Sequence, residues 1–157
     1  MASLSNTTND DPITLRFFTL NNEPIPIPPG LEANYEIAGA LAIAGEQITF
    51  GSTVYRVAGK YFYYYGDPQY KVYLVRATLS ETLSNIPSPA DAASANTAKE
   101  ATQRIFIFRS SEPDCPTYLH KGEDALFAGS TITRLVLQKQ FTDFTSSYFN
   151  IVFETAF

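Results

Sequence analysis

Cys115 and His120 are the only cysteine and the only histidine of the chain, and they stand five residues apart. A thiol beside an imidazole base is the minimum for nucleophilic catalysis. As metal ligands the two are too few for a structural zinc site unless distant carboxylates complete the set. The simpler reading is a buried thiol and a solvent-facing imidazole near a turn. Glu112 with Asp114, and Glu123 with Asp124, are the carboxylate pairs that glycoside hydrolysis would use. All four lie in polar, turn-like stretches where solubility accounts for them. Asp10-Asp11 lacks the alternating oxygen ligands of a calcium loop. No nucleophile elbow, phosphate-binding loop or dinucleotide fingerprint occurs. The chain is therefore expected to be non-catalytic, with no cofactor and no metal.

A different chemistry concentrates between Arg56 and Arg76. Tyr61, Tyr63, Tyr65 and Tyr73 are interleaved with Arg56, Lys60 and Lys71. Rings among cations can stack bases and hold phosphates. Tyrosine equally suits protein interfaces, where it gives a large contact area and a polar tip. Charge decides between the two readings. The chain carries a net charge of -5, with -5 in residues 1–50, +3 in residues 51–79 and -3 in the remainder. An acidic whole argues against nucleic acid and anionic membrane as partners. A local basic patch suits an acidic protein surface.

These residues need strands to position them. Ten Tyr, twelve Phe and no Trp, with 17% charged residues, fit pleated, half-buried surfaces better than helices. The pattern predicts strands at Ile13–Phe17, Ile48–Phe50, Val54–Val57, Tyr61–Tyr65, Tyr70–Arg76, Ile105–Phe108, Ile132–Leu137 and Tyr148–Phe153. Gly51-Ser52 makes a tight hairpin, and Gly66-Asp67-Pro68-Gln69 a second one. Ile37–Ile43 reads as a buried strand or a packed turn. Phe149, Ile151 and Phe153 share one face of the last strand. In the insertion 88–103, Ser88-Pro89-Ala90-Asp91 carries the start signals of a short helix. The expected fold is all-β, an antiparallel sandwich or barrel of about 7–9 strands.

Two further features shape the reading. Pro24, Pro26, Pro28 and Pro29 force an extended path, so residues 1–30 read as an N-terminal arm ahead of one β domain over 31–157. In that arm Pro24, Ile25, Ile27 and Pro28 are the candidate contacts with a neighbour. The second feature is an echo: Gly45-Glu46 through Phe50-Gly51-Ser52-Thr53, with Arg56 and Val57, is matched by Gly122-Glu123 through Phe127, with Gly129-Ser130-Thr131, Arg134 and Leu135. Its spacing differs by one residue, and it hints at a duplicated hairpin.

The Pro-rich arm, the charge-poor β segments, the many Tyr, Thr and Asn and the Ala/Ser-rich loop together resemble the small virion proteins of tailed phages: capsid-decorating, head–tail or tail components. That resemblance implies an assembly protein of the virion or the host cytoplasm, a homo-oligomer such as a trimer or ring. Its partners would be itself and a major capsid or tail protein. The alternative is a β-module that binds a small molecule, glycan or peptide. No signal peptide or membrane-spanning run is expected.

Overall fold

The computed structural model describes residues 14–77, 105–127 and 130–156. The insertion 88–103, read as a short helix or a loop, the acidic pair Asp10-Asp11 and Ile13 lie outside them. The described residues form nine strands and one helix: β1 (Thr14–Thr19), β2 (Pro24–Ile25), α1 (Glu32–Leu41), β3 (Gln47–Phe50), β4 (Thr53–Tyr63), β5 (Gln69–Arg76), β6 (Ile105–Arg109), β7 (Asp124–Ala125), β8 (Arg134–Thr142) and β9 (Asn150–Ala156). They form one sheet in the order β2-β1-β5-β4-β3-β8-β9-β6, with β7 also paired to β8.

The mostly-β expectation holds, but the all-antiparallel sandwich or barrel does not. The sheet is mixed and does not close into a barrel. β1 runs parallel to β5, and β3 runs parallel to β8. A parallel neighbour needs a long crossover, which a strand-by-strand reading of local turns does not reveal. Both expected hairpins are present. Phe50 stands opposite Thr53 across Gly51-Ser52, and Gly51 takes φ 62°, the left-handed value a tight hairpin turn needs at its first central position. Tyr63 stands opposite Gln69 at the end of the β4–β5 hairpin.

Ile37–Ile43 is neither strand nor turn; most of it belongs to α1. The physical reason lies upstream. Pro28-Pro29-Gly30 turns the chain, with Gly30 at φ 85°, and the Glu32 carboxylate reaches back to accept from the Gly30 N–H at 3.0 Å. That carboxylate also sits at the positive end of the helix dipole. Ala, Leu and Glu then favour helix. Asn34, Tyr35, Ala38 and Gly39 form its buried face. At Gly39 an added Cβ would lie 2.6 Å from Leu15 and 2.8 Å from Phe17, so the helix lies close on β1 because that side chain is missing.

Within residues 14–30, β1 and β2 belong to the same sheet. Asn22 turns the chain at φ 64°, and β2 folds back antiparallel on β1, with Phe17 opposite Ile25. Ile25 and Ile27 pack against the chain's own core. That core gathers Phe17, Tyr35, Ile48, Val57, Val72, Leu74, Val136, Phe141, Phe149, Ile151 and Phe153. The shared face of Phe149, Ile151 and Phe153 is buried as the alternation predicted, while Val152 packs on the opposite face with Ile107.

The sequence echo corresponds to a repeated three-strand meander, β3-β4-β5 and β7-β8-β9. Gly45 N–H donates to Val57 O at 2.8 Å and Val57 N–H to Glu46 O at 2.8 Å; Gly122 N–H donates to Val136 O at 2.8 Å and Val136 N–H to Glu123 O at 2.9 Å. Gly45 and Gly122 have φ 95° and 91°. Glu46 accepts from Ile43 N–H at 3.0 Å, and Glu123 from His120 N–H at 2.7 Å. A bulge follows Val57 and another follows Val136. Val136, rather than Leu135, is therefore the counterpart of Val57. The second hairpin loop is longer by two residues, which displaces the Gly-Ser-Thr match out of register.

Candidate functional site

The β4–β5 hairpin projects its end into solvent. After the bulge near Val57 the side chains of β4 alternate between two faces. On one face Tyr61 and Tyr63 pack edge to face, with ring centroids 5.5 Å apart. Lys71 lies on this face, 4.5 Å from the Tyr63 ring centre and 4.8 Å from that of Phe18. Its Nζ and the Tyr73 hydroxyl both donate to Asn22 Oδ1, at 3.3 and 3.2 Å. On the other face Phe62 contacts Tyr70 at 4.9 Å and Tyr64 at 6.2 Å between centroids.

The exposure of this group is its main property. Tyr61 is 57% exposed, Phe62 42%, Tyr63 38%, Tyr64 60%, Tyr65 87% and Tyr70 43%. Together these side chains form an exposed aromatic patch. The sequence-predicted residues do not all join it. Tyr61, Tyr63, Tyr65, Lys71 and Tyr73 lie on the hairpin. Lys60 sits at its base, donating to the carbonyls of Gly39 and Ala40 at 3.1 and 2.8 Å. Arg56 lies before the bulge, opposite Gln47 and Val75. Pro24 and Ile25 form β2 at the edge beyond β1, and Ile27 packs inward. Sequence reasoning missed Phe62, Tyr64 and Tyr70; their signal is the unbroken aromatic run, half of which alternation alone assigns to the core.

A second cluster joins the two meanders. Glu46 is fully buried, and its carboxylate accepts from Ile43 N–H at 3.0 Å and Lys121 N–H at 2.9 Å and meets His120 Nδ1 at 3.1 Å. Lys139, equally buried, donates to Thr117 O at 2.7 Å and lies 5.0 Å from the Phe141 ring centre. Burial lowers the pKa of Lys139, opposed chiefly by the Glu46 charge. Burial pushes the Cys115 thiol up to about 11, with smaller effects from Lys139, Glu112 and Asp114. A thiol held protonated is a poor nucleophile, and His120 is turned to Glu46. Glu112 accepts from Arg109 N–H at 2.9 Å, a local turn contact like that of Glu123. Among the described residues no group of three or more His, Cys, Asp and Glu could hold a metal ion. No described helix is long and apolar enough to cross a membrane.

No protein-family model, no curated protein and no solved structure matches the chain.

Proposed function

We propose that this is a non-catalytic structural protein that works by protein–protein assembly through the end of its β4–β5 hairpin. The observation that carries the reading is the exposed aromatic group Tyr61, Phe62, Tyr63, Tyr64, Tyr65 and Tyr70 on one hairpin. Rings of this kind anchor protein interfaces, where each buried side chain excludes water over a large area. Phe62 and Tyr70 pair ring to ring on one face, whereas Lys71 on the other is already held by Asn22 and two rings. A protein surface fits that chemistry better than a phosphate backbone does. The setting we propose is a virion, in a capsid-decorating, head–tail or tail position; the chain's composition supports it.

Light scattering across a concentration series, at low and high salt, tests the reading. Wild type is expected to associate in a salt-resistant way. The triple variant Phe62→Ser/Tyr64→Ser/Tyr65→Ser is expected to remain monomeric with unchanged far-UV circular dichroism. A triple variant that associates as wild type does would overturn the role of the hairpin.

A further inference from the structure

Outside the hairpin loop the two meanders correspond residue for residue, yet among the described strands one of their edges is covered and the other is open. β8 has β9 on one side; on the other it carries β7 at Arg134 and Leu135, then β3 at Gln140 and Phe141. β4 has β5 on one side; on the other it carries β3 along Thr53–Arg56, and no described strand beyond. The hydrogen bonds and bulges fix the correspondence. Lys60, Tyr61 and Phe62 occupy the places of Lys139, Gln140 and Phe141, and Tyr70 that of Ile151. Even the lysine contacts agree: Lys60 Nζ donates to Ala40 O at 2.8 Å, and Lys139 Nζ to Thr117 O at 2.7 Å.

Burial shows what the open edge lacks. Phe141 and Ile151 are fully buried, whereas Phe62 and Tyr70 are 42% and 43% exposed. In the covered junction Gln47 stands opposite Gln140 and Ile48 opposite Phe141, running parallel. Gln140 Nε2 donates to Gln47 Oε1 at 3.0 Å, and Thr49 and Thr142 join their hydroxyls at 3.1 Å. The counterpart of β3 is β7, which among the described strands pairs with β8 alone.

We propose that a second copy of this chain covers the open edge, its β7 running parallel to β4 with Asp124 opposite Tyr61 and Ala125 opposite Phe62. The inference rests on the assembly reading of the same hairpin and names its partner. Three features of β7 suit it. Leu126, 62% exposed, would stand beside Tyr63 at the place Thr49 takes beside Thr142. Ala125 is small enough to leave the Phe62 ring room against Tyr70. Glu123 and Asp124 bring negative charge to the end that holds Lys60 and Lys71, and Lys71 stands opposite Tyr61 on β5. Donor and acceptor are different surfaces, so the contact closes either as a reciprocal pair or as a ring.

Disulfide trapping tests this register. In a Cys115→Ser background, Asp124→Cys and Tyr61→Cys proteins are mixed and mildly oxidised. Directly opposed strand positions lie within disulfide reach, so a cross-linked dimer should form in the mixture and not from either protein alone. Pairing Asp124→Cys with Gln69→Cys, on the far strand, should give none. In parallel, Asp124→Lys should weaken self-association about tenfold or more, and adding Lys71→Glu should restore part of it. Suppose wild type associates and the Phe62/Tyr64/Tyr65 variant does not, but the Asp124→Cys and Tyr61→Cys proteins form no mixed disulfide and Asp124→Lys has no effect. This inference then fails and the assembly reading stands. Monomeric wild type at every concentration overturns this inference too and leaves only assembly with a different protein.

Discussion

Glu46 and Glu123 hold the same place in the two meanders and should differ sharply in what their loss does. Both accept a hydrogen bond from the backbone three residues earlier. Glu123 is exposed and does little more. Glu46 is fully buried and reaches across to the other meander, to Lys121 N–H and His120. Glu46→Ala leaves two partly buried amides without their acceptor, each worth about 1 kcal/mol or more. It also leaves Lys139 buried with its chief compensating charge gone. The two amides alone put the expected loss at about 2 kcal/mol or more, and the lost field at Lys139 adds to it. That is a large share of the roughly 5–15 kcal/mol that holds a domain folded. Glu123→Ala should stay within the roughly 0.5 kcal/mol scatter of exposed substitutions, or slightly above it. Glu46→Gln keeps the shape but turns an NH2 toward a donor, so it should fall between. Equilibrium urea unfolding with unchanged m-value measures all three. If Glu46→Ala and Glu123→Ala lie within about 1 kcal/mol of each other, the tie between the meanders is not electrostatic.

Two other perturbations follow from the packing. Burial pushes the Tyr35 hydroxyl from 10.0 up to about 12, and Cys115 from 9.0 to about 11. In both, the folded chain keeps a proton that the unfolded chain releases, so their stabilisation is complete below pH 9 and is lost as pH rises to about 12. Lys139 acts in the opposite sense, its lowered pKa making stability rise as pH approaches 10.5. Tyr35→Phe should therefore flatten the fall in the urea midpoint between pH 10 and 12, and an unchanged slope would contradict the assignment. At Gly39 a Cβ meets Leu15 and Phe17 below 3 Å; Gly39→Val should cost about 1–3 kcal/mol or more by overpacking. Ala40→Val, one residue on and exposed, is the control and should cost well under half as much in urea unfolding.

Much of the strand content was legible in the sequence because alternation is a local property. The β4–β5 hairpin, the Gly51 turn and the buried face of Phe149, Ile151 and Phe153 all follow from neighbours within a few residues. Part of the aromatic surface was legible as well, since Tyr61, Tyr63 and Tyr65 share one face of the expected strand; Phe62, Tyr64 and Tyr70 were not, because alternation alone assigns the other face to the core. Helix α1 was not, because its apolar residues are small and its start depends on a carboxylate folding back on Gly30. The full length of β8 was hidden for a related reason: Gln138, Lys139 and Gln140 are polar, yet all are buried. Their partners, Thr117 for Lys139 and Gln47 for Gln140, come from distant parts of the chain.

Composition and alternation by themselves determined that the chain is built from strands, that one hairpin concentrates aromatic rings, and that catalytic residue types are scarce. Only the tertiary structure decided that two strand pairs run parallel, that the Pro-rich stretch folds back on β1, and which glutamate of the repeated pair is buried. Those outcomes depend on which distant strands meet, and hence on which polar groups find partners once water is gone. Sequence neighbours do not carry that information, whereas the register of β3 on β8 does.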